Sequence, residues 1–139
     1  MKEKIINTVV RTAAFFELEL DLYSIRLNDR KSIPATIKNG VYIIEADNQI
    51  VYVGKGTVRD RMKTHIEKIS GEFQTAKDTT GFKILRETTN ITVMDCRVHY
   101  MDWKNEINAT AMEGALMKKL MPLANNETYK TKLLWVNLK

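Results

Sequence analysis

Residues 40–54 of the chain read GVYIIEADNQIVYVG, and this stretch decides the fold. It holds two runs of β-branched and aromatic residues, 41–44 and 50–53, on either side of the polar segment 45–49. Residues of these types favour strands, and two such runs joined by a short polar loop are typical of a β-hairpin. We therefore predict an antiparallel hairpin at the centre of the chain.

The spacing of apolar residues predicts the elements around this hairpin. Gly54-Lys55-Gly56 is expected to end the second strand, and Thr57 to cap the helix that follows. The predicted helices cover residues 4–20, 57–70, 82–88 and 105–120, a further strand covers 91–101, a short strand covers 133–138, and irregular connections cover 21–39 and 71–80. This order predicts an α+β fold, with a small antiparallel three-stranded sheet flanked by helices.

The composition excludes several classes of protein. The 139 residues are 44% hydrophobic and 28% charged, which is ordinary for one globular domain and unlike disordered or collagen-like chains. No apolar run approaches the ~20 residues needed to cross a bilayer, and residues 1–7 lack the apolar core of a signal peptide. The lone Cys96, with His65 and His99 as the other soft ligands, excludes an internal disulfide and a structural zinc site within one chain. We expect a cytoplasmic protein.

The positive charge is concentrated in two stretches. The chain has 22 Lys and Arg against 17 Asp and Glu, a net charge of +5. Residues 51–69 carry five basic and two acidic side chains, and residues 114–139 carry five basic and one acidic. Clustered cations suit a polyanion such as nucleic acid, whereas solvated helix faces explain the same pattern without a partner. Charge alone leaves both interpretations open.

A constellation of chemically capable residues follows the predicted elements in order. It consists of the tripeptides Gly40-Val41-Tyr42 and Tyr52-Val53-Gly54, the helical pair Arg61 and His65, then Glu113, and finally Asn125. Each has a plain structural explanation when taken singly: the tyrosines as cross-strand packing, the helical residues as surface groups, and the asparagine as part of a turn. In combination these explanations weaken.

The combination resembles the GIY-YIG endonuclease superfamily over residues 40–125, about 60% of the chain. The two tripeptides stand for the family's defining pair, with Val41 in place of the usual isoleucine and ten residues from tyrosine to tyrosine. Arg61 and His65 match the family's positions on the first helix, Glu113 its metal-binding glutamate, and Asn125 the end of its Pro-x-x-Asn motif. The resemblance divides the chain into an N-terminal helical extension (1–39), a nuclease core (40–125) and a basic tail (126–139).

The resemblance implies a metal-dependent DNA endonuclease that leaves 5′-phosphate and 3′-hydroxyl ends. Glu113 would bind Mg²⁺, for which Mn²⁺ can substitute, because Mg²⁺ needs few protein ligands. Tyr42 would act as general base, and its reference pKa near 10 then requires help from a metal-bound water, Lys55 or Arg61. Tyr52 and His65 would orient water and carry protons, and Arg61 would stabilise the transition state.

The remaining expectations concern substrate and partners. Gly54 and Lys55 are assigned to substrate binding, with Gly54 and Gly56 letting the backbone approach the phosphate, and Asn125 is assigned to the same site as a hydrogen-bonding support. DNA is the expected partner, and double-strand cleavage predicts a homodimer or higher oligomer. Size and layout favour a phage-type or restriction-type enzyme, in a bacterial or phage-infected cell. The alternatives are a structure-specific repair or recombination nuclease and a non-cleaving nucleic-acid-binding module.

Overall fold

The computed structural model describes residues 2–14 and 21–125. Over these ranges the helices are α1 (Lys2–Ala14), α2 (Val58–Ser70), α3 (Thr80–Thr88) and α4 (Glu106–Leu120), and the strands are β1 (Tyr23–Arg26), β2 (Gly40–Ala46), β3 (Gln49–Gly56) and β4 (Arg97–Asp102). Short 3₁₀ turns cover Leu27–Ser32 and Val93–Asp95. The predicted α+β class is confirmed. The predicted strand at 133–138, the tail 126–139 and the last turns of the helix predicted over 4–20 lie outside the described residues.

The sheet has four strands over the described ranges, one more than the sequence predicts. Its order is β1-β4-β2-β3, and every neighbouring pair is antiparallel. The additional strand, β1, falls in the segment 21–39 that was predicted to be irregular. It is a four-residue edge strand whose side chains do not alternate between buried and exposed positions. Its pairing with β4, and not a local sequence pattern, therefore defines it as a strand. The strand predicted over 91–101 is shorter and begins at Arg97, after a 3₁₀ turn.

The central hairpin is tighter than predicted. Asp47 and Asn48 alone form its turn, with φ angles of 51° and 62°, and Asp and Asn tolerate this left-handed conformation well. Strand β3 continues to Gly56 rather than ending at Gly54. The resulting register sets Tyr42 directly opposite Gly54, so the two tripeptides lie side by side across the hairpin.

Helices cover both faces of the sheet and create two apolar layers. On one face, Tyr42, Val51 and Val98 pack in a cluster with residues of α2 and α3 such as Met62 and Phe82. On the other face the cluster comprises strand residues, including Ile43, Val53 and Met101, with α1 and α4. Burying these side chains contributes ~1.5–3 kcal/mol for each large residue. None of the described helices combines the length and the apolar character needed to span a bilayer.

The segment after α4 runs along the free edge of β3. Met121 ends the helix in the left-handed conformation, with φ of 50°. The backbone N–H groups of Leu123 and Ala124 then donate to the carbonyl oxygens of Ile50 and Val51, at 2.9 and 2.7 Å. The chain is thereby returned to the hairpin at the position of Asn125.

Candidate active site

A cleft of about 570 Å³ lies where the end of the hairpin meets α2 and α4. Seven of the eight residues predicted for the site line it: Tyr42, Tyr52, Gly54, Lys55, Arg61, His65 and Glu113. They come from β2, β3, α2 and α4, which are distant in the sequence. Arg61 and His65 reach the same cleft because residues four apart share one face of a helix.

The centre of the cleft is a buried tyrosine–histidine pair. Tyr42 Oη and His65 Nε2 are 2.7 Å apart, and both side chains are almost fully buried. Burial lowers the pKa of His65 to about 3, with the nearby charges of Lys68 and Arg61 adding to the effect, so the imidazole is neutral at ordinary pH. Tyr52 packs on the same ring, with centroids 4.4 Å apart. The pair is a preformed hydrogen bond shielded from bulk water.

The environment of Tyr42 differs from the expectation that Lys55 or Arg61 favours its phenolate. Burial raises the pKa of Tyr42 well above its ordinary value, and a negative charge on Tyr52 or Glu113 raises it further. Arg61 opposes these effects but does not outweigh them. The protein alone therefore holds Tyr42 as the neutral phenol, whose hydroxyl lies within hydrogen-bonding distance of the neutral ring of His65.

The second ring nitrogen of His65 has no partner among the described residues. Nδ1 is buried and makes no hydrogen bond there, while Nε2 faces Tyr42. When Nε2 accepts the phenolic proton, Nδ1 carries the ring hydrogen. Leaving one buried polar ring atom unpaired costs about 1–3 kcal/mol of folding free energy. Such atoms are rare in proteins, and a catalytic role is one reason for which they are retained.

Glu113 is the carboxylate of this cleft that fits a metal ion. It is half-buried and makes no hydrogen bond to a described residue. Burial raises its pKa, and the charges of Lys55 and Arg61 only partly oppose this. A carboxylate with free lone pairs and an uncompensated burial cost is well suited to a hard cation. No group of three potential metal-ligating side chains occurs within residues 2–14 and 21–125, so the donor set fits an ion that retains several water ligands.

Gly56, which the sequence predicts to let the backbone approach a phosphate, also lines the cleft. The lining residues that were not predicted for the site are Lys38, Asn39, Thr57, Thr64, Lys68, Glu106 and Ala109. Lys68 lies seven residues after Arg61 and Glu106 seven before Glu113, so two-turn helical spacing from the predicted residues could have identified both. Four cationic and two acidic side chains line the cleft, with Lys55 Nζ 3.9 Å from Glu106 Oε1. The net positive charge suits an anionic ligand such as a phosphate.

Gly54 and Gly56 leave space for neighbouring side chains. This is a role in addition to the predicted one, in which they let the backbone approach a phosphate. A Cβ at Gly54 would overlap the phenol of Tyr42 and lie 2.8 Å from a ring carbon of Tyr52. Gly56 has a φ of 133°, and a Cβ there would lie 2.9 Å from Arg61 Nε. Residues other than glycine at these positions would displace the groups that the cleft brings together.

Asn125 lies behind the cleft rather than in it, so its assignment to the substrate-binding set is corrected to support alone. Its side-chain oxygen accepts the backbone N–H of Val53 at 2.9 Å, and its Nδ2 donates to the Val53 carbonyl at 2.7 Å. Val53 stands between Tyr52 and Gly54, and both partners are buried. Both amide atoms of Asn125 are thus bonded to Val53, and Asn125 fixes the strand that carries the site.

Comparison of the chain with protein-family models, with curated proteins and with solved structures gave no significant match. The functional interpretation therefore depends on the residues and the geometry of the cleft.

Proposed function

We propose that the chain is a metal-dependent DNA endonuclease of the GIY-YIG type. The observation that carries the proposal is the convergence of Tyr42, Tyr52, Arg61, His65 and Glu113 in one cationic cleft. These are the residues expected from the resemblance, and they reach the cleft from four different elements. A module that only bound nucleic acid would have no need to bury a tyrosine–histidine pair beside a half-buried carboxylate.

In the proposed reaction, Arg61 binds the scissile phosphate. Its guanidinium is permanently charged, planar and exposed at the rim of the cleft, and it can donate two hydrogen bonds to phosphate oxygens. Charge builds on these oxygens as water attacks phosphorus, so Arg61 binds the transition state more tightly than the substrate. Lys55 and Lys68 add positive charge beside it.

The tyrosine–histidine pair receives the proton of the attacking water. As the water oxygen bonds to phosphorus, Tyr42 Oη takes up the proton of the water and passes its own phenolic proton to His65 Nε2. Because burial lowers the pKa of His65 to about 3, the imidazolium then releases this proton to solvent, and both side chains return to their neutral forms. The bond from phosphorus to the 3′ oxygen breaks, and that oxygen takes a proton from solvent, which leaves a 3′-hydroxyl and a 5′-phosphate. Glu113 would hold Mg²⁺ or Mn²⁺, which supplies Lewis-acid stabilisation of oxygen charge when bound.

The test is cleavage of supercoiled plasmid in the presence of Mg²⁺. Wild-type protein should nick or linearise the plasmid, whereas Glu113→Gln and Arg61→Ala should reduce the rate at least a hundredfold. Arg59→Ala on the same helix and Glu87→Gln on α3 are controls that preserve the cleft. Glu113→Gln should still bind DNA in a gel shift. Unchanged cleavage by Glu113→Gln would overturn the metal assignment, and binding without cleavage by wild type would favour the non-cleaving module.

We further propose that the active form cutting both strands is a homodimer or larger oligomer, because one cleft of this size holds one scissile phosphate. We propose a phage-type or restriction-type role on the resemblance alone, from the helical segment that precedes the nuclease core. Analytical ultracentrifugation of the protein, with and without DNA, tests the oligomer. A monomer that makes double-strand breaks in a single binding event would contradict it.

A further inference from the structure

A second cleft, of about 450 Å³, lies beside the candidate active site. Its lining combines aromatic and acidic side chains: Asp21, Tyr23, Pro34, Thr36, Ile37, Tyr100, Asp102 and Lys104. This volume lies within the ~300–1,000 Å³ of small-molecule sites. One cationic and two acidic side chains line it, the reverse of the balance in the first cleft. It is therefore poorly suited to a phosphate.

A row of tyrosines joins the two clefts across the sheet. Tyr23 pairs with Tyr100, Tyr100 pairs with Tyr42, and Tyr42 pairs with Gly54, so all four positions share one face of the sheet. At ~4.8 Å per strand, the backbone of Tyr23 lies roughly 10 Å from that of Tyr42. A DNA strand covers this distance in about three nucleotides at the 3.4 Å rise of B-DNA, and in fewer when extended.

The aromatic pair at the end of this row has one open face. Tyr23 and Tyr100 are stacked with ring centroids 5.3 Å apart and planes 27° from parallel. Tyr100 is buried, whereas Tyr23 remains 47% exposed. The outer face of Tyr23 is therefore available for a further ring, and stacking is the general way in which proteins bind unpaired nucleobases.

The carboxylates of the second cleft are acceptors suited to the edge of a base. Asp102 Oδ1 accepts the backbone N–H of Lys104 at 3.0 Å, which fixes the carboxylate, and Oδ2 makes no hydrogen bond to a described residue. The Tyr23 hydroxyl approaches one oxygen of Asp21 at 3.4 Å, leaving the other oxygen without a described donor. Carboxylates accept from the exocyclic amino groups of bases such as cytosine and adenine, and thymine has no such group.

The wall between the clefts is fixed in place. The Asn39 carbonyl accepts the backbone N–H of Trp103, and the Ile37 carbonyl accepts that of Val58. Ile37 lines the second cleft, and Lys38 and Asn39 line the first. Residues 37–39 therefore lie between the two clefts and are held by backbone hydrogen bonds on both sides; one cleft is cationic, and the other is aromatic and acidic.

We propose that the second cleft binds an unpaired nucleobase of the DNA substrate, within about three nucleotides of the scissile phosphate. The proposal rests on the proposed nuclease function and names its substrate class. The base stacks on Tyr23 and donates its amino group to Asp102. The preferred substrate is a duplex with a bulged, mismatched or easily extruded nucleotide beside the cleavage point, because extrusion is least costly there.

The primary experiment measures binding without metal, so that it does not depend on catalysis. Fluorescence anisotropy compares a labelled duplex with the same duplex carrying one bulged cytosine. Wild type and Tyr23→Phe, which keeps the ring, should bind the bulged duplex about tenfold more tightly, the size of one base–aromatic stacking contact. Tyr23→Ala should lose this preference without losing affinity for the paired duplex. Retention of the preference by Tyr23→Ala would overturn the proposal.

Two further measurements guard against a misfolded variant and locate the base. Asp102→Asn keeps the acceptor for Lys104, so it should fold normally while losing preference for a bulged cytosine over a bulged thymine. In a photo-crosslinking experiment, a bulged 5-iodocytosine should become attached to the peptide that contains Tyr23. Attachment only to other peptides, or an unchanged cytosine preference in Asp102→Asn, would contradict the assignment.

The outcomes distinguish this proposal from the nuclease proposal. Plasmid cleavage that requires Glu113, together with equal affinity for bulged and paired duplexes, leaves the nuclease standing and removes the base site. A bulge preference lost in Tyr23→Ala, in a protein that cleaves no substrate with Mg²⁺ or Mn²⁺, keeps the base site and removes the nuclease.

Discussion

Replacing Gly54 by alanine should disable the candidate active site through a single added methyl group. The new Cβ would overlap the phenol of Tyr42 and lie 2.8 Å from a ring carbon of Tyr52. Carbon atoms in contact prefer 3.5–4.0 Å, so the rings would have to move by about 1 Å. Tyr42 has little space to do so, because it is 2% exposed and bonded to His65 at 2.7 Å.

The magnitudes follow from overpacking and misplacement. Forcing an extra methyl group into a packed core costs about 1–3 kcal/mol of unfolding free energy. A 1 Å displacement of catalytic groups costs about a hundredfold in rate. Gly54→Ala should therefore lower the unfolding free energy by about 2 kcal/mol in urea titrations and reduce plasmid nicking by about two orders of magnitude.

Gly114→Ala is the matched control, since the same chemical change is made at a site with free space. Gly114 lies inside α4, next to Glu113, and a Cβ there meets no atom within 4 Å. Alanine in a helix interior is more favourable than glycine by about 0.5–1 kcal/mol, so this variant should be more stable and equally active. Equal stability and activity of Gly54→Ala and wild type would refute the close packing of the hairpin tyrosines. Adding Tyr42→Phe to Gly54→Ala removes one overlapping atom and should restore part of the stability but none of the activity.

Two predictions concern the supports of the site. Asn125→Ala leaves the buried N–H and C=O of Val53 unpaired and should lower the unfolding free energy by about 2–4 kcal/mol in urea titrations. The control Asn90→Ala, at an exposed position, should lower it by less than about 0.5 kcal/mol, and equal effects of the two variants would contradict the support role. Glu67 accepts the backbone N–H groups of Gln74, Thr75 and Ala76, and these bonds hold its pKa down at about 2. Because the folded pKa is depressed below the usual value of 4.5, this stabilisation is complete above pH 4.5 and is lost as the pH falls towards 2. Glu67→Gln should therefore be less stable than wild type at pH 7, and the gap should close on acidification; a gap independent of pH would contradict the assignment.

The hairpin and the helices were predictable because their signals are local. The runs of β-branched and aromatic residues on either side of Asp47 and Asn48 favour strands, and Asp47 and Asn48 favour a turn. The predicted helix bounds agree with the structure within about two residues where residues are described, and the helix predicted over 4–20 is described only to Ala14. The grouping of seven site residues was predictable only through the family resemblance, since no local rule brings Tyr42 next to Glu113.

The features that were missed depend on contacts between distant segments. Strand β1 is short and lies at an edge of the sheet, so its four residues show no alternation of buried and exposed side chains that would predict a strand. Tyr23 was consequently not predicted to belong to a site. Thr57 occupies the N-cap of α2 as predicted, yet its side chain makes no capping hydrogen bond. The raised pKa of Tyr42 arises from burial, which the sequence does not encode at a single position.

The Asn125–Val53 pair has a consequence for the order in which the protein matures during synthesis. Tyr42 and His65 are 23 residues apart, whereas Asn125 and Val53 are 72 apart. Chains emerge from the ribosome N-terminus first, and contacts of short separation form before distant ones. The hairpin and α2 can therefore join Tyr42 and His65 early, while Glu113 and the bonds of Asn125 to Val53 are added only after a longer stretch of chain has been made. A ribosome-stalled chain ending before residue 113 would contain Tyr42 and His65 but neither Glu113 nor Asn125, and one ending between residues 113 and 125 would lack only the bonds of Asn125 to Val53.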